Sequence, residues 1–523
     1  MTARRSLARA GLIVTGAFFV SRVLGWVRVV VIGTTFGASA ELDSFFAAFR
    51  IPDLIFQLVA AGALASALIP VLSGLLATDQ TARAWRVAST VTNLMMIALL
   101  VLTIVVAIFA PVLIPIITPG FDVVQTARTV ELTRIMLLSP ILLALGSVAT
   151  SILNSQDRFT AAAMAPIAYN LAIIVAAVVL SPTLGVEGLA IGVVIGSLLH
   201  LLVQLRPLFD GGFRYEPIIE SRDPEAREAL VLMAPRAIGL GVTQLTFIVS
   251  TTLASGLATG SITALNIAFT ILQIPIGVIG VPLGIVVFPS MSRELARGAV
   301  HEYTALLTRS LRLLLFVMLP LTGLGMVLRE QVVALLFEYG KFTAEAVELT
   351  ATTLFYFLIG LAAHSLIAIL ARAFYAGRDT ATPVAAAILA VAVNIVLAIV
   401  LVGPLGLSGL ALAVAAGAWL EAIVLLVILR DRYRGLDMAS IGRAGVEAGI
   451  GAMVASVVAL GVLQVLSGPL GTNPGKLGLL IELIVAGTAG GLVYLGISLA
   501  LRIPELPTIV GVMTDLFRRP RRP

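Results

Sequence analysis

The sequence predicts an all-α, multi-pass membrane protein of about fourteen transmembrane helices. We expect two parallel-repeat six-helix lobes around a central cavity, followed by two C-terminal helices. Three observations lead to this fold class: 59% of the 523 residues are hydrophobic, only 12% are charged, and long apolar runs recur along the whole chain. An average globular protein has about 25% charged residues. A run of 18 or more apolar residues is typical of a membrane-spanning helix.

Fourteen segments are long enough to cross a bilayer, and all should be helical because an open strand in lipid leaves its backbone groups unpaired. Their approximate ranges are 10–33, 43–73, 87–116, 130–153, 161–181, 184–205, 228–256, 262–290, 304–335, 346–374, 382–402, 405–429, 445–467 and 477–501. The first run follows Arg4, Arg5 and Arg9, as in a secretory signal, but no small-residue cleavage site follows it. We therefore expect an uncleaved first span.

The basic residues between the spans predict the orientation of the chain. Twenty-two arginines fall on the side that holds both termini, whereas the other side holds only Arg128, Arg329, Lys341 and Lys476. Because cytoplasmic loops are enriched in Lys and Arg, both termini should be cytoplasmic. The net charge of +6 then reflects topology, so nucleic acid is not an expected partner.

The two halves of the chain resemble each other at an offset of about 220 residues. Pro70 corresponds to Pro289, and Asn170 corresponds to Asn394. Six spans separate the matched positions, so the repeat is parallel, with its axis along the membrane normal. The predicted domains are 1–208, a first lobe of six spans; 209–227, a cytoplasmic linker; 228–430, a second lobe; and 431–523, the last two spans with a basic tail.

A polar stripe on the second span is the first candidate site. Asp43, Arg50 and Gln57 are spaced by seven residues and share one helix face, and Asp53 lies on the same face. Charged side chains at membrane depth usually face a water-filled cavity or a partner helix. The stripe therefore predicts either a polar cavity lining or a structural salt-bridge stripe that holds two helices together.

The first span adds Arg22 near mid-depth and Arg28 toward its outer third. An arginine at the centre of a spanning helix costs about 2.5–3.5 kcal/mol on insertion scales. We expect Arg22 to face a polar cavity, whereas Arg28 either borders that cavity or extends to the outer headgroups. The remaining candidates for a polar cavity lining are Arg236, which is equally consistent with an ordinary interfacial arginine, Gln244, the repeat counterpart of Arg22, and Gln273.

The sequence lacks the motifs of a built-in energy source or of catalysis. It has no GxxxxGK[ST] phosphate loop, no cysteine, and only three scattered histidines. We therefore expect no enzyme, no metal site and no cofactor. Any work that the protein does would then be driven by an ion gradient, the membrane potential or coupled metabolism.

Three stretches carry a family resemblance: SRVLGWVR from Ser21, FGASAELDSFFAAFRIPD from Phe36, and GALASALIPVLS from Gly62. They resemble the lipid II flippases of the MurJ (MviN) family, in the multidrug/oligosaccharidyl-lipid/polysaccharide exporter superfamily. The resemblance implies two lobes that rock to expose a central cavity to each face alternately. It implies a lipid-linked peptidoglycan precursor as cargo, moved from the inner to the outer leaflet, with a groove along the last two helices for the polyprenyl tail.

By resemblance, Arg22, Arg28 and Asp43 match substrate-binding positions of the family. The resemblance also implies the bacterial plasma (inner) membrane as the location. Its expected partners are the lipid-linked precursor, membrane lipids and cell-wall synthesis proteins.

Several positions depart from the family pattern. Val29 stands where an acid is expected, and Phe269-Thr270 replaces an Asp-Arg pair, with Gln273 in place of a following acid. The clamp on the cargo would then have moved to Arg50 or Arg236, or the cargo would be another lipid-linked oligosaccharide. A drug or cation antiporter of the same superfamily, an intramembrane glycan polymerase and a non-transporting scaffold remain as alternatives.

Overall fold

The computed structural model describes residues 2–59, 63–220, 222–470 and 475–507, and among these it describes the side chains of all but 2–14, 59, 63–66, 230, 232, 234–240, 469 and 470. The chain is 87% helical, and the described residues contain no strand. The all-α membrane fold class is therefore confirmed. Long apolar side chains that remain exposed on many helices, such as Ile108 and Val175, are those expected to face lipid.

The chain forms two compact units, of which the first comprises Met1–Thr263 and Tyr339–Thr343. Its helices are α1 (Thr2–Phe36), α2 (Ala40–Val59), α3 (Ala63–Ala77), α4 (Thr81–Ile117), α5 (Val123–Met136), α6 (Leu138–Ser155), α7 (Phe159–Val179), α8 (Ser181–Asp210) and α9 (Pro224–Ser255). Buried leucines such as Leu68, Leu72 and Leu99 fill its core. Two prolines lie inside α4. Membrane helices tolerate proline when neighbouring groups satisfy the carbonyls that it leaves without a donor.

The second unit comprises Ala264–Glu338 and Ala344–Pro523. Its helices are α10 (Ser261–Pro275), which starts at the end of the first unit, α11 (Val281–Ala296), α12 (Val300–Val327), α13 (Arg329–Phe337), α14 (Ala344–Leu358), α15 (Leu361–Ala376), α16 (Ala381–Leu405), α17 (Leu407–Arg432), α18 (Met438–Leu470) and α19 (Gly475–Ala500). A π-helical turn at Ile276–Gly280 joins α10 to α11. The glycine pair Gly280 and Gly284 lets α11 approach α15 closely, at Ser365 and Arg372.

Eleven helices of the described chain are long and apolar enough to cross a membrane, and the bent pair α14–α15 makes a twelfth. Two of the fourteen predicted spans are not among them. The predicted span at 43–73 covers α2, which carries four charged residues, and α3, which has 15 residues, while residues 60–62 between them lie outside the described residues. The span at 228–256 corresponds to α9, part of whose side chains lie outside the described set. The number fourteen therefore stays a prediction.

The same turn recurs in both units at the position that the sequence repeat indicates. In the first unit Gly185 adopts φ 61° and ψ −143° before α8 continues, and in the second unit Gly406 adopts φ 56° and ψ −133° before α17. Such positive φ values favour glycine. Three residues later, Gly188 packs against Leu180 and Gly409 packs against Leu401. The shared geometry agrees with the predicted parallel repeat.

The compact units do not follow the predicted domain limits. Helix α9 is grouped with the first unit, because its residues pack against α2, α3 and α4. The predicted second lobe would instead begin with this helix at residue 228. The compact units are defined by contacts, whereas the lobes were predicted from an internal sequence repeat. The units therefore do not test the lobes, which stay a prediction.

Candidate functional site

The polar stripe of α2 faces α9 within the first unit. Arg50 is half-buried, and its Nε donates to Thr251 Oγ1 at 3.0 Å. Its guanidinium carbon lies 5.3 Å from the centre of the Phe247 ring, in the range of a cation–π contact. Asp53 accepts from Gln244 Nε2 at 2.9 Å and from Gln57 Nε2 at 3.4 Å. Four of the predicted site residues are thus brought together, on two helices.

Sequence analysis missed Phe247 and Thr251, although the signal was available. Gln244, Phe247 and Thr251 follow one another at three- and four-residue steps on α9, which places them on one helix face. A polar residue at each end of that face matches the polar stripe of α2. Reading both helices together, rather than α2 alone, would have indicated the pair.

Asp43 lies at the start of α2, and its carboxylate is buried. One oxygen accepts from Gly260 N at 2.7 Å, and the other accepts from Thr263 N at 2.8 Å and Thr263 Oγ1 at 2.7 Å. Asp43 therefore caps the turn from which α10 begins. Gly260 adopts φ +89°, and a side chain there would collide with Ala38, so this turn requires glycine. Substrate contact by Asp43 stays a prediction.

Two arginines of helix α1, Arg22 and Arg28, lie in different environments. The Arg28 guanidinium carbon lies 5.6 Å from the centre of the Tyr169 ring of α7, and Tyr169 is within electrostatic range of both Arg28 and Asp53. The neighbouring Asn170 donates to Ser21 O at 3.3 Å and holds α7 against α1. Tyr169 is a third contact residue that sequence analysis missed, because a lone tyrosine in an apolar span gives no periodic signal.

Arg22 is half-buried on α1. Among the residues that the structure describes, it has no hydrogen bond or ion pair. We give the name charged cluster to Arg22, Arg28, Arg50 and Asp53. Tyr169 is within electrostatic range of Arg28 and Asp53, and Arg22 is included because it lies six residues before Arg28 on α1. Three positive groups against one carboxylate leave an excess of positive charge inside the membrane-spanning part of the first unit. Such an arrangement favours an anionic ligand with oxygen acceptors, since arginine binds phosphate through two parallel N–H donors.

The two remaining candidates are Gln273 and Arg236. Gln273 belongs to the second unit, where it is exposed near the end of α10. Arg236 belongs to α9, and its side chain lies outside the described residues. The predicted roles of both residues stay untested.

The positions that depart from the family pattern are packed as ordinary apolar helix residues in the second unit. Phe269 packs edge-on against Phe357, with ring centres 5.6 Å apart. Thr270 donates its hydroxyl to Asn266 O at 2.8 Å, in the usual manner of a helical threonine. This face of α10 thus carries no charge to match the cluster of the first unit.

An apolar groove of about 400 Å³ lies in the second unit between α12, α14 and α18. Leu319 and Met326 of α12, Phe355 of α14 and Met453 of α18 line it, and Gly323 allows α18 to approach. We call it the α12/α18 groove. The described residues contain no group of three His, Cys, Asp or Glu that could hold a metal ion.

Comparisons with known proteins give the family. The family model described as "Lipid II flippase MurJ" matches residues 32–480. The "Lipid II flippase MurJ" of Burkholderia cenocepacia is 34% identical over 435 residues, which cover 82% of this chain and 84% of its own. The "Probable lipid II flippase MurJ" of Rhizobium tropici is 33% identical over 500 residues, which cover 92% and 93%.

Two solved structures share the fold. "Lipid II flippase MurJ, inward closed conformation" superposes with a TM-score of 0.79 at 24% identity, over 97% of this chain and 100% of its own. A multidrug resistance MATE family transporter of the MOP superfamily superposes with a TM-score of 0.61 at 18% identity, over 79% and 95%. The sequence matches cover most of this chain and most of each relative, so the chain belongs to the lipid II flippase MurJ family.

Proposed function

We propose that the chain carries lipid II, a polyprenyl-pyrophosphate-linked peptidoglycan precursor, from the inner to the outer leaflet of the bacterial plasma membrane. Membership of the family supports the substrate class. The observation that carries the proposal on this chain is the excess of arginine in the charged cluster, and above all Arg22, which is left without a described partner in a membrane span.

Both the headgroup of the cargo and the arginines of the charged cluster carry a charge that is costly to place in lipid. A pyrophosphate headgroup cannot enter hydrocarbon unaided, and an arginine at mid-membrane costs about 2.5–3.5 kcal/mol by itself. Each charge relieves the cost of the other when the two meet. Arg22 would supply a bidentate contact to phosphate, while Arg28 and Arg50 stay partly committed to Tyr169 and to Thr251. The headgroup would then bind most tightly inside the membrane, where an unpaired charge is most costly.

The polyprenyl tail needs a separate path, because it is apolar and remains in lipid. The α12/α18 groove is lined almost entirely by apolar side chains and lies on α18, one of the two helices predicted to lie outside the repeat. We infer that the tail occupies this groove while the charged cluster holds the headgroup. The cluster would be exposed to the two faces in turn.

The driving force would be the membrane potential or an ion gradient, since the sequence carries no nucleotide-binding loop. The protein would act without chemical conversion of its cargo. Both termini would be cytoplasmic, and enzymes that synthesise the cell wall would supply and consume the precursor.

A second cargo is favoured by one specific observation. The uncharged packing of Phe269 and Thr270 removes from α10 an acid and a base that the family pattern carries there. A cargo whose headgroup has fewer charged groups, such as another lipid-linked oligosaccharide, would need fewer such partners. Both cargos share the polyprenyl pyrophosphate that the charged cluster is proposed to bind.

Transport by the purified chain in proteoliposomes tests the proposal. Fluorescent lipid II, a polyprenyl-pyrophosphate oligosaccharide of different glycan, and a cationic drug are supplied separately. We expect translocation of lipid II, with the second lipid as the only other substrate and no drug efflux. If the chain transports the oligosaccharide lipid in preference to lipid II, the cargo is that lipid and not lipid II. Drug efflux without lipid transport would contradict the proposal.

A further inference from the structure

A second pocket lies in the second unit, apart from the charged cluster and from the α12/α18 groove. Its volume is about 540 Å³. The early turns of α12, the start of α18 and the segment after α19 enclose it, through residues that include Thr308, Arg312, Ser440 and Glu505. In the proposed topology these elements meet at the cytoplasmic surface of the membrane. Nothing in the proposed transport of lipid II uses this pocket.

Two buried polar groups in the pocket lack partners. Glu505 is 6% exposed, and its Oε1 accepts from Arg312 Nε at 2.6 Å. Its Oε2 is buried and has no hydrogen-bond partner in the described part of the chain. Thr308 is 9% exposed, and its Oγ1 is also buried without a partner there. Leaving such groups unsatisfied costs free energy, so each indicates a missing donor or acceptor.

The cations around the pocket divide into committed and available groups. Arg312 is held by Glu505 and by the hydroxyl of Ser440. An adjoining pocket of about 430 Å³ shares Arg312 and Ser440, and it adds Arg443 and Arg502. Arg443 is paired with Glu447 at 2.7 Å, whereas Arg502 is exposed and has no partner among the described residues. The outer rim therefore offers a positive charge, and the interior offers an unpaired carboxylate oxygen.

This arrangement selects a ligand with two kinds of group. A carboxylate oxygen accepts hydrogen bonds only, so the inner end of the ligand must carry an N–H or O–H donor. The outer end must carry an anion, for which phosphate is suited by its several acceptor oxygens. A phosphate joined to an ethanolamine or a glycerol has both groups a few bonds apart. Phosphocholine has the phosphate but no donor.

The surface next to the pocket is lipid-facing. Val446, Ile450 and Val457 form an exposed apolar stripe on α18 that starts within one turn of Arg443. Residues three, four and seven apart on a helix share a face, so the stripe runs continuously from the pocket into the bilayer. Acyl chains attached to a headgroup in the pocket would lie along this stripe.

We propose that this pocket binds the headgroup of a phospholipid that carries both a phosphate and an N–H or O–H donor, as phosphatidylethanolamine and phosphatidylglycerol do. The donor pairs with Glu505 Oε2 and Thr308 Oγ1, and the phosphate faces Arg502. The bound lipid joins α12, α18 and the segment after α19. It is a structural lipid and is not cargo.

Native mass spectrometry of the full chain in detergent tests the proposal, with phosphatidylethanolamine and phosphatidylcholine of identical acyl chains as probes. We expect the ethanolamine lipid to bind about two- to tenfold more tightly, the range that one or two hydrogen bonds provide. Thr308→Val keeps the side-chain shape and should narrow this preference, and Glu505→Gln should narrow it further. Thr350→Val is the matched control, because Thr350 is fully buried, has an unpaired Oγ1 and does not line the pocket.

Four results would overturn the proposal. One is equal binding of the two lipids by the wild-type chain. Another is an equal effect of Thr308→Val and Thr350→Val. Competition by free phosphoethanolamine at the affinity of the intact lipid would assign the pocket to a soluble phosphate ester. A gain in lipid binding when Arg518, Arg519, Arg521 and Arg522 are replaced by Gln would assign it to the chain's own tail.

Discussion

Three arginines in the first unit are accommodated in three different ways. Arg50 donates to a hydroxyl, lies on the Phe247 ring and is within electrostatic range of Asp53, whereas Arg28 lies on the Tyr169 ring. Arg22 has none of these contacts among the described residues. Ring contacts and single hydrogen bonds to neutral groups offset part of the cost of a charge in the membrane, but only an anion offsets most of it. At the residue scale, Arg22 is therefore the position where bound cargo changes the energy most.

Asp43→Asn should lower the free energy of unfolding by about 1–3 kcal/mol. The two oxygens of Asp43 accept three hydrogen bonds, from Gly260 N and from Thr263 N and Oγ1. Asparagine has one acceptor oxygen, so its NH₂ group would face a backbone N–H. Thermal unfolding in detergent measures the change.

The control for that substitution is Asp122→Asn at the start of α5. Asp122 is an exposed N-cap that accepts from Gln125 N at 2.7 Å. Asn caps a helix about as well as Asp, so this variant should unfold like the wild type. Equal stability of the Asp43 and Asp122 variants would show that the buried cap does not depend on the second carboxylate oxygen.

At the element scale, the helix pair α7–α8 depends on closely spaced glycines. Gly188, Gly192 and Gly196 of α8 lie four residues apart and pack against Leu180, Ala176 and Tyr169, respectively. Small residues at this spacing let two membrane helices approach until their backbones touch. The pair also positions Tyr169 and Asn170 beside α1. Helix packing on one side of α7 thus determines the contacts of Arg28 on the other.

Gly192→Val should destabilise the protein by about 1–3 kcal/mol, the usual range for an overpacked site. A Cβ atom at Gly192 would collide with the Cβ of Ala176. Gly461→Val on α18 is the matched control, since a side chain there would enter open space. Melting temperatures of the two variants give the comparison, and an unchanged Gly192 variant would mean that α7 and α8 can separate freely.

The connection between α15 and α16 is held by one carboxylate outside the membrane spans. Thr382 donates its hydroxyl and its N–H to Asp379, and Arg432 at the end of α17 pairs with it at 2.7 Å. The hydrogen bonds from Thr382, followed by the contact with Arg432, lower the pKa of Asp379 to about 2. A carboxylate with a lowered pKa stabilises the folded state above its ordinary pKa of about 3.8, and this contribution is lost as the pH falls toward 2.

Asp379→Asn should therefore lower the melting temperature at pH 7, with a difference from the wild type that shrinks between about pH 4 and pH 2. Melting curves over this pH range test the expectation. Asp431→Asn, an exposed aspartate of α17, serves as the control. If the difference in melting temperature between Asp379→Asn and the wild type is constant with pH, the loss of stability comes from the changed hydrogen-bond geometry and not from the lost charge.

At the scale of the whole molecule, apolar run length was enough to predict the fold class and the position of most spans. Each of the eleven spanning helices overlaps a predicted segment, because in lipid a continuous apolar stretch leaves the chain no alternative to a helix. The predicted segment at 43–73 covers α2 and α3, and its residues 60–62 lie outside the described residues, so its continuity as one span stays a prediction.

The site was predicted in part. The seven-residue spacing of Asp43, Arg50 and Gln57 identified the polar face of α2 correctly. It did not distinguish the two ends of that face, one of which caps a helix through Asp43 while the other meets Gln244. Which partner a polar side chain finds depends on residues more than 190 positions away in the sequence, as Asp53 and Gln244 illustrate. Local periodicity contains no such information.

The proposed orientation is testable because the chain has no native cysteine. Val123→Cys and Ala82→Cys place single thiols at exposed positions at the starts of α5 and α4, respectively. With both termini cytoplasmic, a membrane-impermeant thiol reagent should label residue 123 in intact cells and residue 82 only after permeabilisation. The reverse pattern would invert the topology.

We propose that Arg22 binds the cargo and does not contribute to the stability of the fold. If it were a buried structural partner, removing it would destabilise the protein by about 3–5 kcal/mol. Arg134→Ala is the matched control, since Arg134 lies on membrane helix α5, outside the cluster, and donates to Ala107 O.

The most direct measurement is lipid II translocation by Arg22→Ala in proteoliposomes, with the melting temperature of the same sample recorded. We expect Arg22→Ala to keep the wild-type melting temperature and to lose at least about tenfold in translocation. Arg22→Lys should recover translocation only in part, because lysine lacks the bidentate fork of arginine. A stable Arg22→Ala protein that transports lipid II at the wild-type rate, or one that is destabilised, would contradict a role of Arg22 in binding the cargo.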